Sequence, residues 1–202
     1  MLKFFLKLLF FLKKPQIIVA ESGEVAEAIF NLLEKHFNVG KLEKKLPGFL
    51  DVLKNEILIF INFTIGLNFL FQNSRKPILV INAVKENEEI IKLIKILPSA
   101  SFLVLNYDNV VIRNLRKEAT SNVLTFGFWE GSDVQATDMN FEEEAINFKL
   151  NYKGGFVPIW LKLPSEIKEI DKAKETIYPY LATASAGIIL GLNLVEISQG
   201  LR

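Results

Sequence analysis

Ser101-Phe-Leu-Val-Leu-Asn-Tyr-Asp108, a basic helical stretch, Asn122-Val-Leu-Thr-Phe-Gly-Phe128 and then Asp133-Val-Gln-Ala-Thr-Asp138 form the segment that decides the fold. A run of apolar residues from Ser101 ends in the polar Asn106 and Asp108. A helix follows from about Asn109 to Glu118. A second apolar run, Asn122 to Phe128, carries Gly127 near its end. Buried strands linked by helices imply crossovers and a mostly parallel sheet. In open α/β sheets, ligands sit outside the carboxyl ends of the strands. Asn106 and Asp108 are therefore the expected rim of any ligand site.

Upstream the pattern repeats. Gln16 to Ala20, Glu56 to Asn62 and Pro77 to Asn82 read as short, continuously apolar strands of the kind covered on both faces. Val25 to Phe37 reads as a helix, with Val25, Ala28, Ile29, Leu32, Leu33 and His36 at helical spacing. Glu86 to Leu97 reads as another, stopped by Pro98. The stretch Val39 to Leu53, lysine-rich and broken by Pro47-Gly48, reads as a connection.

Downstream the period changes to two. Ile146, Phe148, Leu150 and Tyr152 alternate with polar residues, Lys153-Gly154-Gly155 makes a turn, and Val157, Ile159, Leu161 and Leu163 alternate again. This is a β-hairpin with one wet face, and Asp133 to Phe141 is expected to lie beside it as a strand. After Pro164 the chain returns to helix. Tyr180 to Leu190 is rich in Ala and Gly, which permits close packing on a sheet. Leu194 to Leu201 is a last short helix after Gly191-Leu192-Asn193.

Composition narrows the function. Half of the 202 residues are apolar and 17 are Phe, enough for a sizeable core. A formal net charge of +1, with no basic stripe in the body of the chain, gives no case for nucleic acid. The absence of Cys excludes disulfides, thiolate metal sites and a Cys nucleophile, and fits a reducing cytosol. The one His, His36, cannot build a His-rich metal site and reads as structural.

The amino-terminal segment stands apart. Met1 to Lys14 alternates Phe and Leu with Lys3, Lys7, Lys13 and Lys14. It is too short to span a bilayer, which needs about 20 apolar residues, and it lacks a small-residue cleavage site. Two readings stand. It lies in a membrane interface with its lysines on anionic headgroups, or it docks as a cover on the domain or a partner. Pro15 ends it.

Glu21-Ser22-Gly23-Glu24 occupies the strand–turn–helix setting of a phosphate-binding loop. Such a loop needs several glycines, a Lys for the terminal phosphates and a Ser or Thr for magnesium. This turn offers one Gly, no Lys and two acids, which suit a helix start and repel phosphate.

The order of these features resembles the central domain of the Mur ligases, and within them the branch that adds D-alanyl-D-alanine. The resemblance rests on Leu-Asn-Tyr-Asp at 105–108, Thr-Phe-Gly at 125–127, Asp-Val-Gln-Ala-Thr-Asp at 133–138, the hairpin Phe148 to Leu163, and Leu-Gly-Leu-Asn-Leu-Val-Glu-Ile-Ser-Gln-Gly-Leu at 190–201. Lys14-Pro15-Gln16-Ile17-Ile18 looks like the approach to the family's P-loop. The resemblance implies a P-loop-like α/β fold, a mostly parallel sheet flanked by helices with an antiparallel hairpin extension. It divides the chain into a helix at 1–14 and a central domain at 15–202. It places neither the family's N-terminal UDP-binding domain nor its C-terminal domain within these residues.

In that family ATP and magnesium activate a carboxylate as an acyl phosphate, and an amine then attacks. At the turn matching the P-loop, Ala20 to Val25, this chain has neither the Lys nor the Thr and is shorter. The magnesium-binding Glu is matched by Asn82. The family segment that follows is expected to be deleted between Asn82 and Glu86. The His of the His-Asn motif is lost near Glu175 and Thr176. The adenosine-side Asn and Asp are matched by Asn106 and Asp108, with Asn109 in place of a second acid. Losing one oxyanion-type donor alone costs around 3–4 kcal/mol.

The expectation is a catalytically silent domain with no catalytic residue, no metal ligand and no cofactor of its own. Asn106 and Asp108 are its nucleotide edge, or simply caps for the helix at Asn109. Its role would be binding or scaffolding, with another Mur ligase or cell-wall enzyme as partner. It would lie in the cytoplasm, peripheral to the inner membrane face through Lys3, Lys7, Lys13 and Lys14. Two alternatives stand beside it: an ATP-dependent acid–amino-acid ligase active only with a partner chain, and a residual nucleotide-binding module.

Overall fold

The computed structural model describes residues 2–43, 47–61, 67–83, 88–142, 145–162 and 170–201. The expected deletion between Asn82 and Glu86, the return to helix just after Pro164, the hairpin's Leu163 and the side chain of Lys3 fall wholly or partly outside this description.

Nine described strands form one sheet in the order β2-β3-β1-β4-β5-β6-β7-β8-β9. At its centre β1 (Gln16–Ala20) lies between β3 (Ile57–Ile61) and β4 (Ile78–Ile81), followed outward by β5 (Phe102–Asn106) and β6 (Asn122–Gly127). These strands are parallel to their neighbours. β1, β3, β4 and β5 are apolar at nearly every position because both faces are covered, and the pleat sends alternate residues to opposite cores. Ile18 and Ala20 of β1 face one core, and Ile17 and Val19 face the other.

The first core lies under α2 (Gly23–Leu33), α7 (Ile170–Ile189) and α8 (Leu194–Gly200), through Val25, Ile29, Leu32, Ile177, Leu181 and Ile197. Small residues Ala182, Ala184 and Ala186 bring α7 close to the strands. The second core lies under α1 (Leu2–Lys13), α3 (Phe49–Lys54), α4 (Leu67–Gln72), α5 (Glu88–Lys95) and α6 (Val110–Asn114), through Phe10, Val52, Phe71, Ile90, Ile94 and Ile112.

The sheet then changes character. β7 (Val134–Phe141) pairs in parallel with the last residues of β6 and antiparallel with β8 (Ala145–Tyr152), which pairs antiparallel with β9 (Gly155–Lys162). Ile146, Phe148, Leu150, Val157, Ile159 and Leu161 point inward, as the alternation predicts. Lys153 and Gly154 have φ of 47° and 79°, the left-handed pair that a two-residue hairpin requires. The fold class expected from the sequence is thus observed: a mostly parallel sheet with helices on both faces and an antiparallel extension.

Three local expectations are corrected. Val39 to Leu53 is not merely a connection, since it contains β2 (Val39–Glu43), parallel to β3, and the short helix α3. β2 is an edge strand, so it needs no continuous apolar run and carries no pattern to find. The first helix after β1 starts at Gly23, two residues before Val25, because Ser22 caps it by accepting from the Val25 N–H at 3.3 Å. It ends at Leu33, so His36 lies in the following turn, on the surface.

The amino-terminal helix docks on its own domain. Phe10 is buried at 1% exposure, with its ring 6.0 Å from that of Phe69. Lys13 Nζ donates to the carbonyls of Val52, Leu53 and Asn55 at 2.7, 2.6 and 2.9 Å. It thereby satisfies carbonyls at the C-terminal end of α3, where a cation is also favoured by the helix dipole. Lys13→Ala is expected to cost about 1 kcal/mol of stability. An unchanged urea midpoint for that variant would show that the lysine does not hold the two helices together.

Candidate functional site

The topology singles out one crevice. β1 is followed by α2 on one face of the sheet, and its neighbour β4 is followed by α5 on the other. Adjacent strands whose helices leave on opposite faces open a gap at their carboxyl ends, the usual ligand position in such sheets.

Here that gap is laced shut by the chain itself. The turn from β1 to α2 consists of Glu21 and Ser22 only. Glu21 reaches across to the end of β4, and its carboxylate accepts from the backbone N–H groups of Asn82 and of Ala83, the latter at 3.1 Å. Burial raises the Glu21 carboxyl from 4.5 to about 7, the two backbone donors pull it partly back, and the Glu24 charge adds to the rise. A carboxylate therefore takes the N–H donors that an anionic ligand at this crevice would need.

The two residues singled out in sequence lie one strand further on. Asn106, 5% exposed, donates from Nδ2 to Asn82 Oδ1 at 3.0 Å and accepts from the Asp108 N–H at 3.0 Å. The polar chain thus runs from β1 to β5 through Glu21, the Asn82 backbone and side chain, and Asn106.

Asp108 turns the other way. Its carboxylate accepts from the N–H groups of Phe128 at 2.7 Å and Trp129 at 3.0 Å, and from the Tyr178 hydroxyl at 3.0 Å. It ties the end of β5 to the loop after β6 and to α7. The Tyr178 ring packs edge-on against Phe128, centroids 5.3 Å apart. Gly127 is demanded by this approach: a Cβ there would lie 2.4 Å from Asp108 Oδ1. Asp108 does not cap the helix at Asn109. That cap is made by Asn109 itself, whose Oδ1 accepts from Val111 and Ile112 at 3.0 and 3.2 Å.

A second acid in the segment, Asp133, folds back on β6. It accepts from the Thr125 N–H at 2.8 Å and the Thr125 hydroxyl at 2.7 Å. Thr125 was read only as part of the Thr-Phe-Gly motif, and Tyr178 was not singled out in the sequence; it sits two residues past Thr176, inside an unremarkable helical run. Glu175 and Thr176, the place of the family's His-Asn motif, lie on α7, where Thr176 bonds back to the Lys172 carbonyl at 3.1 Å. No cluster of three or more His, Cys, Asp or Glu suited to a metal occurs among the described residues.

The comparisons with known proteins point to one fold. No family model matches the chain. It is 23% identical over 201 residues to UDP-N-acetylmuramoyl-L-alanyl-D-glutamate–2,6-diaminopimelate ligase 2 of Clostridium acetobutylicum, covering 87% of this chain and 39% of that protein. It is 29% identical over 100 residues to the UDP-N-acetylmuramate–L-alanine ligase of Caldanaerobacter subterraneus subsp. tengcongensis, covering 48% and 20%. The MurF ligase from Thermotoga maritima, solved in complex with ADP, superposes with a TM-score of 0.66 at 19% identity, over 96% of this chain and 51% of that one. In fold, the chain is similar to the central domain of a Mur ligase.

The chain spans about half the length of the solved Mur ligase it matches and less of the two curated relatives. Folylpolyglutamate synthetase from Lactobacillus casei shares the Mur-ligase-like fold more distantly, with a TM-score of 0.52 at 11% identity. Against the nucleotide that a Mur ligase fold implies, the described residues at this crevice do not fit. A phosphate cradle needs a glycine-rich loop with free N–H groups and a lysine. Residues 21 and 22 leave no such loop, and the Glu21 carboxylate holds the neighbouring N–H groups.

Proposed function

We propose that this chain is a Mur-ligase-like central domain that has exchanged its triphosphate cradle for an internal carboxylate, and that it acts by binding rather than by catalysis. The observation that carries this reading is Glu21 bridging β1 to the backbone of Asn82 and Ala83 across the switch-point crevice. An anionic phosphate brought there would meet the Glu21 and Glu24 side chains in place of a lysine. Asn106 and Asp108 support the same reading, because both are spent on joining strand ends. The likeness to Mur ligases supports reading its role as a cytoplasmic one, beside a Mur ligase or another enzyme of peptidoglycan precursor synthesis.

The competing reading is an ATP-dependent acid–amino-acid ligase completed by a partner chain. Phosphate release from ATP with UDP-muramoyl-peptide and amino-acid acceptors separates the two. No release is expected above the ATP-alone background, either by the chain alone or beyond that of a Mur ligase added to it. Release that requires this chain and is lost on substituting Asn106 would overturn it.

A further inference from the structure

The docked helix α1 hides Phe10 but leaves Leu8, Phe11 and Leu12 outside, with Phe11 59% and Leu12 70% exposed. Its neighbour α3 likewise presents Phe49, Leu50 and Leu53, with Leu50 60% exposed. The two helices are held side by side by Lys13, so their outer surfaces form one apolar face built from segments about 40 residues apart. Neither half of that face is used by the core.

A basic cleft adjoins the face. Where α1 gives way to β1, Lys14, Arg75 and Lys76 line a cleft of about 610 Å³, together with Glu56 as its acid. Lys14 Nζ also lies 5.8 Å from the centre of the Phe11 ring, which joins the cleft to the apolar face. Lys7 stands over the Phe69 ring at 5.6 Å. The acid on α3, Asp51, is turned to the Gly48 N–H at 2.7 Å.

We propose that this face docks on an anionic phospholipid bilayer. Phe11, Leu12 and Leu50 enter the acyl boundary, and Lys14, Arg75 and Lys76 meet headgroup phosphates. Apolar side chains flanked by cations at one level are what an interfacial segment needs. A protein partner for a short basic helix would call for an acidic groove on that partner, and nothing about this face selects one. The surface differs from a simple amphipathic anchor in two respects. Lys13 is committed to the domain, so it does not serve the membrane, and α3 supplies three of the six exposed apolar side chains. The proposal is independent of the nucleotide question, since cleft and patch lie at the amino ends of the strands.

The test is co-sedimentation of the full chain with phosphatidylcholine vesicles, with and without phosphatidylglycerol. The expected result is pelleting with the anionic vesicles only, reversed by added salt. A Leu12→Ser/Leu50→Ser variant and an Arg75→Glu/Lys76→Glu variant should each lower the partition coefficient at least about tenfold. Both alter exposed side chains, and urea midpoints equal to the wild type verify that they fold. Failure of the wild type to pellet, or equal pelleting by the Leu12/Leu50 variant, overturns the proposal. So does a dimer in solution that the same substitutions dissociate, since the face would then belong to a second copy of the chain.

Discussion

Replacing Asp108 with Ala is expected to destabilise the domain by about 3 kcal/mol, a fall of roughly 6–12 °C in Tm for a chain of this size. The carboxylate holds three donors at once, the N–H groups of Phe128 and Trp129 and the hydroxyl of Tyr178. Hydrogen bonds to a charged acceptor are about twice as strong as neutral ones. Removing the acceptor leaves partly buried donors unmet, which costs more than the bonds themselves contribute. Asp108→Asn keeps one acceptor oxygen and should lose about half as much. A residue kept for nucleotide contact would behave differently: its loss would change ligand binding and leave the thermal midpoint within about 1 °C. Thermal and urea unfolding of the two variants decide between these outcomes.

The second large effect is on pH. The Glu21 carboxyl titrates at about 7 in the folded chain against 4.5 for an ordinary glutamate. Between those values the folded state holds a proton that the unfolded state has released. Stability contributed by this group is therefore fully present below pH 4.5 and is lost as pH rises through about 7. At about 1.4 kcal/mol per unit, the loss approaches about 3 kcal/mol. Glu21→Gln cannot ionise and removes this slope. The gap between variant and wild type should widen in the variant's favour from pH 4.5 to pH 8, on top of a constant offset from the altered hydrogen bonds. Urea titrations across that range measure it. A gap that stays flat, or that closes with rising pH, would mean that the carboxylate is ionised and comfortable where it sits.

The fold was largely legible because its central strands carry the strongest signal a sequence has. Ile57 to Phe60, Ile78 to Ile81 and Leu103 to Leu105 are apolar throughout and buried on both faces, and the hairpin's period of two marks its one wet face. β2 escaped because an edge strand of Val-Gly-Lys-Leu-Glu has half its surroundings in water. The helix boundary at Phe37 was misplaced because His36 and Phe37 continue the apolar spacing beyond the point where the backbone turns.

The site was legible in place but less so in use. Asn106 and Asp108 do stand at strand ends, and the shortness of the Glu21 turn already spoke against a phosphate loop. What no sequence pattern gives is direction. Nothing in Glu-Ser-Gly-Glu says that Glu21 crosses to a strand 61 residues away. The Asp108 carboxylate passes the helix beside it, which Asn109 caps, and bonds to residues 20 to 70 positions distant. Those choices depend on strand order and on the glycine at position 127, which clears the path of Asp108.

The central claim is that the crevice between β1 and β4 no longer receives a triphosphate. Isothermal titration of the full chain with ATP and magnesium at neutral pH tests it most directly. No saturable heat and no thermal shift are expected up to millimolar ATP. Saturable one-to-one binding in that range, abolished by substituting Asn106, would contradict it.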